Sequence, residues 1–167
     1  SMSPNYIDLH THSTFSDGTK TPAEIVQLAQ EKNLAAVALT DHDTVLGIPA
    51  FLEAGKTSPI ETIAGIELAA EYEGTEIHIV GLFVDPNSSA FQQFNETVQK
   101  NREKRNLLMV EKLTSLGYHI SYEDVLSEAG GHVITRAHFA RALVHHSYVS
   151  TKNEAFEKIL GNDKAGY

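Results

Sequence analysis

Two histidines near the N-terminus, His10 and His12, have the residue type and spacing of a metal-binding pair. They follow the short β-type run from Tyr6 to Leu9, and side chains two positions apart on a strand share a face, with Cα atoms about 6.6 Å apart. Each neutral imidazole can offer a ring nitrogen to a cation. The turn at Asp17-Gly18 can fold a carboxylate back towards the pair. The alternative is two polar strand-end residues in solvent.

A second group of polar residues, Thr40-Asp41-His42-Asp43-Thr44, follows the unbroken apolar run from Leu34 to Leu39. Such a run is typical of a strand buried on both faces. We predict that His42 is a ligand, and that Asp41 or Asp43 orients an imidazole by accepting its second N–H. Helix capping by this loop is an alternative that is compatible with a metal site.

Two further candidates lie on later strands. Glu67 is predicted to end a strand from Ile60 to Leu68, and His78 lies in a β-type run from Ile77 to Val84. A histidine flanked by β-branched residues is often an ordinary sheet residue, but here four strand ends are expected to meet at one end of a parallel or mixed barrel. Nitrogen and carboxylate ligands without thiolates suit zinc, manganese or iron, with magnesium possible. More than one ion is usual where a carboxylate can bridge.

The elements that position these residues alternate between strand and helix, which predicts an α/β fold with parallel strands. A helix is expected to begin at Thr21, which is followed by Pro22 and by Glu24 in a capping box. A hairpin turn is predicted around Glu73-Gly74-Thr75. The chain therefore divides into an α/β part, residues 1–87, and a helical part, residues 88–167, with helices predicted at about 88–116, 121–129, 136–146 and 152–160.

Composition excludes several classes of function. The 167 residues carry a net charge of −9, which argues against an extended nucleic-acid-binding surface. No apolar run is long enough to cross a membrane, and no signal-peptide pattern is present. The absence of cysteine excludes thiolate sites and fits a reducing compartment, so we expect a cytoplasmic protein. Ser1-Met2 is interpreted as a remnant of tag removal, and the oligomeric state is left open.

Together these motifs resemble the polymerase and histidinol phosphatase (PHP) family. The resemblance rests on four segments: Tyr-Ile-Asp-Leu-His10-Thr-His12-Ser-Thr-Phe-Ser-Asp17-Gly18, Thr40-Asp41-His42-Asp43-Thr44, Gly65-Ile66-Glu67 and His78. More narrowly, the chain resembles bacterial members that hydrolyse nucleoside 3′,5′-bisphosphates and short 5′-phosphorylated oligonucleotides. The resemblance implies the N-terminal part of a distorted (β/α)7 barrel, a centre of up to three divalent ions, and a helical insertion over the second part of the chain.

The resemblance also implies roles for single residues. His10 and His12 would hold one ion, Glu67 would bridge it to a second that His78 also binds, and Asp17 and His42 would hold the third. Asp17, His42 and Glu67 would then be the catalytic groups. The carboxylates expected to support the ligands from behind are Asp8, Asp41 and Asp43.

A substrate-binding segment is implied by Thr135-Arg136-Ala137-His138, which resembles the family's Arg-x-His segment. Arg136 and His138 would bind a substrate phosphate, for which a guanidinium fork is geometrically suited. The alternative is a helix start with an incidental histidine.

Two later ligand motifs of the family, His-Pro and a C-terminal Asp-x-His, are not found in this sequence. We therefore expect a piece of a longer protein, with ligands missing for each ion. The expected reaction is hydrolysis of a phosphate ester of a small nucleotide by metal-activated water. Alternatives are a histidinol-phosphate phosphatase, a polymerase-associated domain and a metal-binding module without catalysis. A neighbouring chain could also supply the missing ligands.

Overall fold

The computed structural model describes residues 6–161 and 164–166, apart from the side chain of Glu71. The predicted tag remnant, Ser1-Met2, lies outside these residues. The chain forms two compact units, residues 1–95 and 96–167. The predicted boundary after residue 87 precedes the long helix Ser89–Ser115, and the division between these two units falls inside that helix.

The first unit contains β1 (Ile7–Thr11), α1 (Pro22–Glu31), β2 (Ala36–Leu39), α2 (Ile48–Gly55), β3 (Glu61–Tyr72) and β4 (Thr75–Leu82). The strands form a four-stranded mixed sheet in the order β1-β2-β3-β4. β1 pairs in parallel with β2, β2 pairs in parallel with β3, and β3 pairs antiparallel with β4. Helix α1 connects β1 to β2, and helix α2 connects β2 to β3. The predicted α/β alternation is confirmed.

Helix α1 begins as local sequence chemistry dictates. The Thr21 side chain accepts a hydrogen bond from the Glu24 backbone N–H, the Glu24 carboxylate accepts one from the Thr21 N–H, and Pro22 occupies the first turn. These bonds satisfy donors that a helix start leaves unpaired. The apolar faces of both helices cover the sheet through one core cluster: Ile25, Val26, Ala29, Val37, Leu39, Ile48, Phe51 and Ile60. This packing holds the C-terminal end of β2, from which the loop with His42 leaves.

The hairpin of β3 and β4 differs in extent from the prediction. Glu73 and Gly74 both have positive φ, 49° and 77°, as two-residue hairpin turns favour. β3 continues through 12 residues to this turn, so Glu67 lies inside the strand and does not end it. His78 pairs with Ala69 in the middle of β4, so its predicted position at a strand end is wrong. Pairing with β4 keeps β3 extended beyond the point where the parallel sheet ends.

The second unit is helical. Helix α3 (Ser89–Ser115) spans the division between the units, and α4 (Tyr122–Ala129), α5 (Arg136–His145) and α6 (Lys152–Ala155) follow, with a π-helical turn over Phe156–Leu160. Their core includes the fully buried Val125, Phe139 and Leu143. Among the residues that the structure describes, no helix is both long and apolar enough to span a membrane.

Candidate metal centre

His10 and His12 lie together at the C-terminal end of β1, as their spacing predicted. Their Nε2 atoms are 3.2 Å apart. A neutral imidazole carries one ring proton and one lone pair, so two ring nitrogens at this distance need a proton or a cation between them. Both Nε2 atoms also face Glu67 Oε1: His10 is in direct contact with it, and His12 is 3.7 Å away. The pair and the carboxylate oxygen thus surround one point.

Glu67 is the centre of the arrangement. Its side chain is only 3% exposed, and its two oxygens face opposite groups of imidazoles. Oε1 faces the β1 pair, while Oε2 lies 2.8 Å from His42 Nδ1 and 3.0 Å from His78 Nδ1. A buried carboxylate with a different set of nitrogen donors on each oxygen has the geometry of a bridging ligand.

The electrostatics at Glu67 and at His12 favour the protonation states that metal ligands need. Burial acts to raise the pKa of the Glu67 carboxyl, but the facing imidazoles, His42 foremost, outweigh it and hold that pKa below its ordinary value. For His12, burial and then the neighbouring His42 lower the imidazole pKa. An ionised carboxylate and neutral imidazoles are the forms that bind divalent ions.

His42 reaches Glu67 because the segment after β2 pairs again with β3. His42 and Glu67 form an isolated parallel bridge. The Asp43 N–H donates to the Glu67 carbonyl at 2.8 Å, and the Glu67 N–H donates to the Asp41 carbonyl at 3.1 Å. Asp43 turns the chain with φ of 53°, and its Oδ1 accepts the Ala69 N–H at 3.3 Å. Asp43 therefore provides hydrogen-bond partners for the β3 backbone beyond the point where β2 ends.

Asp17 joins the centre through a loop held by a buried carboxylate. Asp17 Oδ2 lies 3.2 Å from His42 Nε2. Behind it, Asp41 accepts hydrogen bonds from the Ser13 N–H and Ser13 Oγ, both at 2.6 Å, and from Ser16 Oγ at 2.8 Å. The prediction was that Asp41 or Asp43 accepts an imidazole N–H. Asp41 has other partners, because it accepts from Ser13 and Ser16 in the loop that carries Asp17.

The same loop needs glycine at position 18. A Cβ on Gly18 would lie 2.1 Å from the His12 carbonyl oxygen, a distance that no side chain can adopt. Asp8 also acts on the backbone, because its Oδ1 accepts the His10 N–H at 3.1 Å. Its predicted support of the ligand pair therefore acts through the main chain.

These side chains fit divalent ions in three adjoining groups. The groups are His10, His12 and Glu67; His12, Asp17 and His42; and His42, Glu67 and His78, each with ligand atoms within 4.8 Å of one another. Within the described part of the chain, the buried His12 Nδ1 has no hydrogen-bond partner. Buried polar atoms are rarely unpaired, so an orphaned ring nitrogen here favours a cation partner. We call these six residues the metal centre.

When ions are bound, such a centre acidifies a bound water towards a pKa of about 7 and neutralises charge on phosphate oxygens. The contribution of this chain is to hold the ligands in place, with buried Glu67 shared between two groups and His12 and His42 each shared between two. Because a neutral imidazole has one lone pair, His12 and His42 would each serve one of their two groups at a time.

Arg136 and His138 lie in the second unit, at the start of α5. Thr135 caps this helix, and His138 Nδ1 accepts the Thr135 N–H at 2.9 Å, which completes a capping box. The His138 side chain is buried and thus has a structural role that the sequence interpretation missed. Arg136 is the first residue of the helix. The roles of both residues towards phosphate stay predictions.

One further residue was missed. Glu76, two residues before His78 on β4, has its Oε1 3.3 Å from His78 Nε2. The available signal was the Glu-x-His spacing, which places both side chains on one face of a strand. In the sequence, this spacing cannot be told apart from the usual alternation of polar and apolar residues along a strand.

Comparison with known proteins identifies the family. The chain is 39% identical over 160 residues to a 5′-3′ exoribonuclease of Haemophilus influenzae, covering 96% of this chain and 58% of that protein. It is 33% identical over 162 residues to a 3′,5′-nucleoside bisphosphate phosphatase of Chromobacterium violaceum, covering 96% and 57% respectively. The chain thus spans less than two thirds of the length of these curated relatives.

The fold comparison agrees. A crystal structure from Bifidobacterium adolescentis, provisionally described as a metal-dependent phosphoesterase, superimposes with a TM-score of 0.86 and 31% identity, covering 99% of this chain and 58% of that one. The mixed sheet and its helices therefore correspond to part of that larger fold. A family profile described as PHP domain matches residues 8–160, so this chain belongs to the PHP domain family.

Proposed function

We propose that this chain provides the metal-holding part of a hydrolase that cleaves phosphate esters of small nucleotides. The substrates would be nucleoside 3′,5′-bisphosphates or short 5′-phosphorylated oligonucleotides, and the attacking group a metal-activated water. The observation that carries the proposal is the buried Glu67 carboxylate between four imidazoles, with a ligand group on each oxygen. The names of the relatives, an exoribonuclease and a bisphosphate phosphatase, support the substrate class.

The ligand chemistry supports manganese, zinc or iron, because all six predicted ligands offer imidazole nitrogen or carboxylate oxygen. In this proposal Glu67 would be shared by two ions, and Asp17 and His42 would complete the group nearest the loop. His10, His12 and His78 fill the remaining protein positions. The side chains orient the ions, and they need not form a covalent intermediate.

Arg136 is proposed to bind the substrate phosphate. It begins α5, a helix of 10 residues, where the guanidinium and the partial positive charge of the helix N-terminus both favour an anion. His138 is proposed to assist from the same turn. The net charge of −9 supports a small substrate over an extended nucleic acid, and the absence of cysteine supports the cytoplasm as the location.

The test is phosphate release by the intact parent protein that carries this chain, made metal-free and reloaded with Mn²⁺ or Zn²⁺. We expect release from adenosine 3′,5′-bisphosphate in preference to histidinol phosphate, abolished in Glu67→Gln. The matched control is Glu61→Gln, an exposed carboxylate on the same strand, which should retain activity. Preference for histidinol phosphate would refute the substrate class. Bound ions without release from either substrate would favour a metal-binding module over an enzyme.

A further inference from the structure

Glu76 lies beside the metal centre but is not one of its six residues. It shares one face of β4 with His78, and the residue opposite His78 on β3 is Ala69. The small Ala69 side chain leaves room for the His78 ring to reach diagonally to Glu67, whose Oε2 is 3.0 Å from Nδ1. The other ring nitrogen, Nε2, faces Glu76 Oε1 at 3.3 Å. The ring is thus held between two carboxylates.

The exposures of the two partners are unequal. The Glu76 side chain is 14% exposed, whereas the His78 side chain is 46% exposed. Because the His78 side chain is about half exposed, the contact contributes little to stability. What the contact does define is the direction of the ring: Nδ1 points to Glu67 and Nε2 to Glu76.

The direction of the ring decides which tautomer can bind an ion. A neutral imidazole has one proton, and Glu67 and Glu76 compete for it. If Nδ1 keeps the proton, it donates to Glu67 and has no lone pair for a cation. If Nε2 keeps it, Glu76 accepts that hydrogen bond and the Nδ1 lone pair faces the group formed with His42 and Glu67.

We propose that Glu76 is a positioning residue that holds the Nε2–H tautomer of His78 and so prepares Nδ1 for an ion. Carboxylates behind metal-bound histidines act in this way elsewhere, by fixing the tautomer and the ring orientation. The inference rests on the metal-binding part of the proposed function and does not depend on the substrate or on turnover. Glu76 would support the six-residue metal centre from outside, because it touches a ligand and not the ion.

The experiment measures metal affinity without substrate. Zn²⁺ is titrated calorimetrically into the metal-free chain, and its Glu76→Ala, Glu76→Gln and Glu61→Ala variants. We expect Glu76→Ala to weaken binding of the ion held by His78 by roughly 10- to 100-fold. Glu76→Gln keeps an acceptor oxygen and should fall between Glu76→Ala and the unsubstituted chain, and Glu61→Ala should match the unsubstituted chain. Far-UV circular dichroism checks that each variant is folded.

A second readout separates positioning from general weakening. In the ¹⁵N-labelled, zinc-loaded chain, ring correlations should show His78 protonated at Nε2 and bound through Nδ1. Unchanged affinity in Glu76→Ala, an equal loss in Glu61→Ala, or His78 bound through Nε2 would each overturn the role of Glu76. Failure of the unsubstituted chain to bind zinc would instead overturn the metal centre. Zinc binding that depends on Glu76, without phosphate release, would support the inference and contradict the proposed hydrolase.

Discussion

Replacing Asp41 tests how the loop with Asp17 is held. Asp41 is 1% exposed and accepts three hydrogen bonds, two from Ser13 and one from Ser16. Asp41→Ala leaves one buried N–H and two buried hydroxyls without this acceptor. A hydrogen bond to a charged group contributes about 1.5–3 kcal/mol, and rotation of the hydroxyls recovers part of the loss. We therefore expect the free energy of unfolding to fall by roughly 3–5 kcal/mol, a large share of a domain's stability.

Asp41→Asn is the milder change. It keeps the shape and one acceptor oxygen, so charge-assisted bonds become neutral ones and the expected cost is about 1–2 kcal/mol. The matched control is Asp8→Asn, because Asp8 is exposed and accepts a single backbone hydrogen bond. This control should change stability by less than about 1 kcal/mol.

The assay is urea denaturation followed by far-UV circular dichroism, combined with hydrogen exchange of the Ser13 amide. That amide donates to Asp41 Oδ1 at 2.6 Å, so its protection should fall in both Asp41 variants and stay unchanged in the control. If Asp41→Ala costs less than about 1 kcal/mol and leaves the Ser13 amide protected, the loop is not held by this network and the reasoning is refuted.

Three more outcomes are expected. Gly18→Ala should lose zinc affinity and stability, because its Cβ would meet a backbone carbonyl. Gly81→Ala is the control and should be tolerated in the same titrations, because the nearest atom to its Cβ would be 3.5 Å away. Removing ions with a chelator should lower the melting temperature, and metal at 100 times its Kd should restore about 2.7 kcal/mol; an unchanged melting temperature would argue against ion binding. Phe139→Ala should destabilise the second unit by about 3–5 kcal/mol, and Leu108→Ala, at an exposed position, by less than about 0.5 kcal/mol in the same urea denaturation. Equal costs for this last pair would contradict the core assignment.

Most of the helices, and the shared face of His10 and His12 on β1, could be predicted because the sequence patterns that indicate them are local. The start of α1 is determined within four residues by Thr21 and Glu24, and the shared face of His10 and His12 follows from strand geometry alone. The α/β alternation and the hairpin turn at Glu73-Gly74 were predicted from the same kind of short-range pattern.

The sequence predicted six candidate metal ligands by residue type, but it did not predict how they are arranged. The six residues could be identified by type, yet the position of Glu67 inside a long strand depends on pairing with β4, which local sequence does not encode. Asp41 was one of two residues, with Asp43, predicted to accept an imidazole N–H, because both neighbour His42 in sequence. Its actual partners, Ser13 and Ser16, are 28 and 25 residues away and meet it only when β1 and β2 pair.

The sequence by itself determined the family, the alternation of strands and helices, and which side chains could bind cations, because residue type and short spacing carry that information. Only the tertiary structure decided that one buried carboxylate would share four imidazoles, since these residues come from four strands or strand ends. The same holds for His10 and His12: their spacing predicted a pair, and the packing of β3 against β2 supplied the carboxylate that makes the pair part of a larger centre.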